Sequence, residues 1–174
     1  MDDIANVTVA EWLDRIARPS AVWAAGSVNA VTCAQAWSLV EMIAGLASRH
    51  ANDPGLGAIA DRAQLARRHL LSLAKQDALA FQKVLRDPSP QHYGQAAQIP
   101  LEVLGWARQG QDAAQQPALV SYHLAALDLK CAYQLFDAVS ATSQALIADN
   151  LPHLETTERC RVLQRLRSLD LREI

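Results

Sequence analysis

Residues 70–85 read LLSLAKQDALAFQKVL. At helical spacing Leu70, Leu73, Asp77, Phe81 and Val84 fall on one stripe, because residues three and four apart share a helix face. Four of the five are apolar, so the stripe faces a core. The run contains neither Gly nor Pro and no period-2 alternation of β-branched residues, so it reads as the interior of a long helix. The remaining member of the stripe is a carboxylate, and an ionised carboxylate without a partner is costly to bury.

Outward from this stretch the helical pattern recurs, with its own punctuation. The long helix covers about residues 56–86, preceded by an NDPG turn at 52–55 and followed by DPSP at 87–90. Before it, a helix over about 27–49 is apolar nearly all round, which marks it as the central, most buried element. Thr8 and Glu11 form a capping-box pattern for a short helix ending near Ala17, ahead of Pro19. Further on, a helix spans about 92–111, with Pro100 expected to kink or split it. A fifth covers about 118–149 and an arginine-rich sixth about 155–169. No period-2 strand pattern appears. The expected fold is all-α: an antiparallel bundle of about six helices with one long central apolar helix, in a single domain over 1–174. So apolar a central helix needs more cover than five neighbours give, so a homodimer is expected.

Composition narrows the function. The 174 residues carry a formal net charge of −2, which supplies no field for nucleic acid or a membrane surface. The basic face RCRVLQRLR at 159–167 is diluted by Glu155, Glu158 and Asp170, and reads as a solvated or dimer-flanking helix. The apolar region 28–46 is interrupted by Asn29, Thr32, Gln35, Ser38 and Glu41, which suits a buried helix better than a membrane span. The start, MDDIANVT, lacks the pattern of a signal peptide. Cys33, Cys131 and Cys160 are widely spaced and odd in number, as reduced thiols in a cytoplasm would be. The five histidines make no metal-ligand spacing with one another or with cysteine, so no metal is expected.

Two more carboxylates interrupt apolar stripes. Asp128 shares a face with Leu124, Cys131, Ala132 and Leu135, and Glu41 lies between Trp37 and Leu46. A buried acid either raises its pKa, which suits general acid–base work, or is satisfied by a helix N-terminus or an arginine. Arg49, Arg67, Arg68 and Arg108 are candidate partners.

Four ordered segments carry a resemblance. AAGSVNAVTCAQAWSLVEMIAGL, LAKQDALAF, AAQIPLEVLGWA and AALDLKCAYQLFDAVSATSQALIADNL cover most of residues 20–151. Together they resemble the cyclodeaminase/cyclohydrolase family of all-helical, dimeric folate enzymes. The resemblance implies a tetrahydrofolate derivative as substrate, one-carbon chemistry between N5 and N10, and no bound cofactor. It places Asp77 on the family's catalytic aspartate and Asp128 on a second aspartate lining the same pocket. Gly26 and Ser27 fall at the end of the ligand-approaching Gly-rich loop and Asn150 on a terminal Asn. With Glu41, and with Arg49 or His50 assigned by location alone to the folate's glutamate tail, they complete the candidate substrate-binding set. The sequence departs from the family at Trp23, Ala24 and Ala25, where a Pro-Gly-Gly-Gly-Ser loop begins in the family. Leu127 replaces a serine and Leu146 an asparagine. These departures keep a second reading open: a helical dimer of the same fold that binds or assembles without catalysis.

Overall fold

The computed structural model describes residues 4–20, 22–50 and 53–170. Among these, seven α-helices and no strand are present: α1 Val9–Ala17, α2 Ala25–Ser48, α3 Pro54–Arg86, α4 Pro90–Ala114, α5 Pro117–Val120, α6 Ala126–Asn150 and α7 Thr156–Asp170. Thr8 caps α1 as expected: its hydroxyl accepts from the Glu11 N–H, and its own N–H donates to the Glu11 carboxylate at 2.7 Å. Of the NDPG turn, Asn52 lies outside the described residues. Asp53 accepts a hydrogen bond from the Gly55 N–H at 2.8 Å and starts α3 two residues earlier than expected.

The long helices α2, α3, α4 and α6 form an up-down-up-down bundle. Cross-helix contacts fix the directions. Ser27 meets Asp77 while Glu41 meets Arg67, so α2 and α3 run antiparallel. His69 meets Glu102 while Arg62 lies over Trp106, so α3 and α4 do too. Asn29 meets Ser143 and Trp37 meets Phe136, which sets α6 antiparallel to α2. The α2–α3 contact is built on alanines, among them Ala30, Ala34, Ala44, Ala63, Ala66, Ala74 and Ala78, all buried. Such small side chains let two helices approach closely. Trp37, Phe136, Ile43 and Leu70 fill the wider parts of the core. A second, smaller core of Ala97, Leu101, Leu104, Ile147, Leu154 and Val162 seats α7 against α4.

Of the kink or split expected at Pro100, the split is absent: α4 runs unbroken from Pro90 to Ala114. A proline removes one helical hydrogen bond, but Pro100 is buried with Ile99, Leu101, Val103 and Leu104, and their packing holds the helix together. The expected fifth helix over 118–149 is in fact two. At Tyr122 the backbone leaves helical geometry (φ −82°, ψ 75°), and a 3-10 turn at His123–Ala125 leads into α6. The break lets Leu119 enter the core and Tyr122 stack on His50, with ring centroids 5.7 Å apart. The central helix, α2, is also long and apolar enough to cross a membrane by length and composition alone, and half of that window is buried in the bundle.

Gly110 lies where α4 crosses the Phe136 ring. A Cβ there would sit 2.2 Å from Phe136 Cζ. Gly110→Ala is expected to destabilise the fold by about 1–3 kcal/mol through overpacking. Chemical denaturation, read as a lower midpoint at unchanged slope, checks this.

Candidate active site

Asp77 meets the start of α2. That helix has no cap of its own, because its N-cap position is Ala24. The Asp77 carboxylate, arriving from the middle of α3, takes over the role. The Ser27 hydroxyl lies 2.8 Å from Asp77 Oδ2, and the Ser27 backbone N–H also donates to the carboxylate. A helix N-terminus carries unsatisfied N–H groups and partial positive charge, both suited to an anion. Gly26 makes the approach possible, since a Cβ on it would lie 2.1 Å from Asp77 Oδ1. Burial pushes the Asp77 pKa up and the two Ser27 hydrogen bonds pull it down. Burial wins, so the carboxyl sits above its ordinary value of 3.8.

The other acids are placed differently. Glu41 forms an ion pair with Arg67 at 2.9 Å, both side chains half-buried. Asp128 was expected on a core-facing stripe. It is exposed instead, next to Leu127 (82% exposed) at the start of α6 and following Leu124 (75% exposed) in the turn before it. Nor does it share a hollow with Asp77 within one chain. Because α6 runs antiparallel to α2, Asp128 lies near the level of Ile43, whereas Asp77 lies at Gly26 and Ser27. At 1.5 Å per residue the two acids are on the order of 25 Å apart along the bundle.

The remaining candidates divide between the same two levels. Gly26 and Ser27 touch Asp77. Asn150 ends α6 at that end of the bundle, where its side chain donates to the Leu146 carbonyl at 2.7 Å. Glu41 and Arg49 lie toward the other end and line a shallow hollow of about 420 Å³ on α2 with Ser38, Met42, Gly45 and Leu46. A larger hollow of about 530 Å³ opens between the start of α3 and the end of α4, around Arg62 and Gln109. Asp77 lines neither.

Trp23 is buried (8% exposed) and packs edge-to-face on Trp12, with ring centroids 5.5 Å apart. The indole that stands in the loop is thus committed to anchoring α1. Two features were not anticipated. The Ala74 carbonyl lies 2.9 Å from the Ser27 hydroxyl. Asn29, buried in α2, donates to Ser143 Oγ and to the Val139 carbonyl, tying α2 to α6. The backbone acceptor at Ala74 had no sequence signal. Asn29 did have one, as an amide near the start of an alanine-rich helix. Among the described residues no group of three or more His, Cys, Asp or Glu side chains gathers as metal ligands would.

Residues 8–167 match the family described as formiminotransferase-cyclodeaminase. The fold is similar to that of a formiminotetrahydrofolate cyclodeaminase from Thermotoga maritima. The TM-score is 0.89 at 24% identity, covering 97% of this chain and 90% of that one. No curated protein is significantly similar to the chain.

The raised Asp77 pKa has a consequence for stability. The folded chain holds the Asp77 proton more tightly than the unfolded chain does. Asp77 therefore costs stability progressively as pH rises from the unfolded value through the folded one, and the full cost applies above both. Asn keeps an oxygen for the Ser27 N–H and carries no charge. Asp77→Asn is expected to raise Tm at neutral pH, with the gain shrinking as pH falls through the folded value and gone below the ordinary value of 3.8. Thermal melts of both proteins across pH check the sign. Gly26→Ala is expected to lower Tm, because the new methyl displaces the carboxylate from its seat.

Proposed function

The chain belongs to the formiminotransferase-cyclodeaminase family, and from that membership we propose that it is a folate one-carbon enzyme with Asp77 as its acid–base group. The substrate is a tetrahydrofolate derivative bridged or substituted between N5 and N10. In the cyclodeaminase direction, N10 attacks the formimino carbon on N5. The N10 proton passes to the former imino nitrogen, the carbon–nitrogen bond to it breaks, and ammonia leaves with a second proton, from Asp77. In the cyclohydrolase direction, water adds to the methenyl carbon and gives its proton to Asp77 as the ring opens. Either reaction needs a carboxyl that changes protonation state near neutral pH, which burial favours. The observation that carries the reading is a buried carboxyl seated on a glycine-lined helix N-terminus, with its pKa raised.

A second subunit completes this reading. The candidate residues fall into two sets at different levels of the bundle: Gly26, Ser27, Asp77 and Asn150 in one, Glu41, Arg49 and Asp128 in the other. A two-fold axis crossing α2 near Gln35 turns one copy's first set toward the other copy's second. The face that such a pairing would cover is apolar and open: Met42 on α2, and Leu124, Leu127 and Cys131 on and before α6, are all exposed. We therefore place Asp128 of one protomer beside Asp77 of its partner, in a cytoplasmic homodimer. The free thiols of Cys33, Cys131 and Cys160 are in keeping with that compartment. The alternative is a dimer of the same fold that binds a folate without turning it over, and the Trp23 loop motivates it.

Absorbance at the methenyltetrahydrofolate band tests turnover. The wild type is expected to consume the compound faster than buffer does, and Asp77→Asn to lose at least about 100-fold of that rate. A wild type that neither consumes the methenyl compound nor forms it from the formimino one faster than buffer contradicts the catalytic reading, and a tetrahydrofolate-induced rise in Tm without turnover favours the binding one. The shared site has its own check. Asp77→Asn and Asp128→Asn, each inactive alone, are expected to recover about a quarter of wild-type activity when co-refolded in equal amounts, since half the dimers then hold one intact site. No recovery contradicts the shared site.

A further inference from the structure

Ser27 is fully buried, and its hydroxyl faces two acceptors. Asp77 Oδ2 lies 2.8 Å away and the Ala74 carbonyl oxygen 2.9 Å away. A serine hydroxyl has one proton to give and can also accept. It cannot donate to both oxygens at once, and with the side chain at 0% exposure water has no access to settle the choice. When Asp77 is ionised, both of its oxygens are acceptors only, so the hydroxyl proton belongs on Oδ2. When Asp77 is protonated on Oδ2, that O–H donates to Ser27 Oγ, and the Ser27 proton turns to the Ala74 carbonyl. The carbonyl has a lone pair to spare beyond its helical hydrogen bond. Neither state leaves a buried polar group without a partner, and no heavy atom has to move.

We propose that Ser27 is the positioning residue for Asp77, a hydroxyl that rotates between Asp77 Oδ2 and the Ala74 carbonyl as Asp77 gains and loses its proton. This rests on Asp77 being the acid–base group. It gives Ser27 a different task from contact with substrate. The step balances simply: one proton arrives at or leaves Asp77, and the Ser27 O–H turns about its C–O bond without breaking. A buried carboxyl held by donors alone would be poised for the ionised form only. One beside an acceptor alone would favour the protonated form. The Ser27 hydroxyl serves both, so the site needs little reorganisation at the moment of proton transfer. Among the described residues, burial and the two Ser27 hydrogen bonds are what move Asp77.

Carbon-13 NMR of the full-length wild-type protein tests the proposal without relying on activity. The Ala74 carbonyl resonance is expected to shift with pH at the same midpoint as the Asp77 carboxyl, because the carbonyl gains a hydrogen bond as Asp77 is protonated. In Ser27→Ala that coupled shift is expected to disappear and the Asp77 midpoint to rise, since the carboxylate has lost its side-chain donor. Ser27→Thr, which keeps the hydroxyl, is expected to restore the coupling. If the wild-type enzyme turns over folate, Ser27→Ala is expected to lower kcat about tenfold with KM unchanged. An Ala74 carbonyl that stays still while Asp77 titrates in the wild type overturns the proposal, as does an Asp77 midpoint that does not rise in Ser27→Ala. A coupled Ala74 shift in a protein that turns over no folate would leave the hydroxyl switch standing and remove the proposed reaction.

Discussion

The seating of the Asp77 carboxylate on the first turn of α2 is the interaction on which the rest of the site depends. A helix that begins on alanine leaves its first N–H groups to be satisfied from elsewhere. Here a side chain from the neighbouring helix does it, through Ser27. The contact fixes the register of α2 against α3, and Glu41 with Arg67 holds the same register further along. It also requires a residue without a side chain at Gly26. In isolation such a cap would be a structural device. It differs from an ordinary cap in that the capping group can be ionised and is buried enough that desolvation outweighs its hydrogen bonds.

Two opposing forces act on Asp77. Burial alone would hold it protonated, and the helix N-terminus alone would hold it ionised. With both acting, burial prevails, and the carboxyl holds its proton to a higher pH than an exposed aspartate does. The cost falls on folding stability, a common relation between active-site groups and the scaffolds that carry them. At the other level of the bundle the physics differs. Glu41 is neutralised by Arg67, and Asp128 stands on an exposed apolar face of α6. A soluble chain seldom leaves residues such as Leu124 and Leu127 open without a surface to cover them.

Much of the scaffold was legible in the sequence. The 70–85 stripe packs as its periodicity requires, with Leu70, Leu73 and Val84 buried and Asp77 and Phe81 partly so. The Thr8 capping box and the central position of α2 also follow from residue type and spacing. The break at Tyr122 did not, because it uses neither glycine nor proline and is driven by where Leu119 and Tyr122 find partners. Asp128 misled for a related reason. Periodicity reports that a face is apolar, not whether its own chain or another molecule covers it. Of the site, Asp77, Gly26 and Ser27 were each singled out in the sequence, but Asp77 was paired with Asp128 and the other two with a ligand; their mutual contact depends on how α2 packs on α3, and the acceptor role of the Ala74 carbonyl belongs to the backbone and has no residue-type signature.

An infrared difference spectrum between the wild type and Asp77→Asn, recorded as pH is raised, addresses the protonation of Asp77 most directly. The account predicts a protonated-carboxyl band, absent from Asp77→Asn, that persists above the pH at which the exposed aspartates have ionised. A difference spectrum showing only carboxylate bands over that range would mean that the α2 N-terminus outweighs burial, and Asp77 would then be a cap and nothing more.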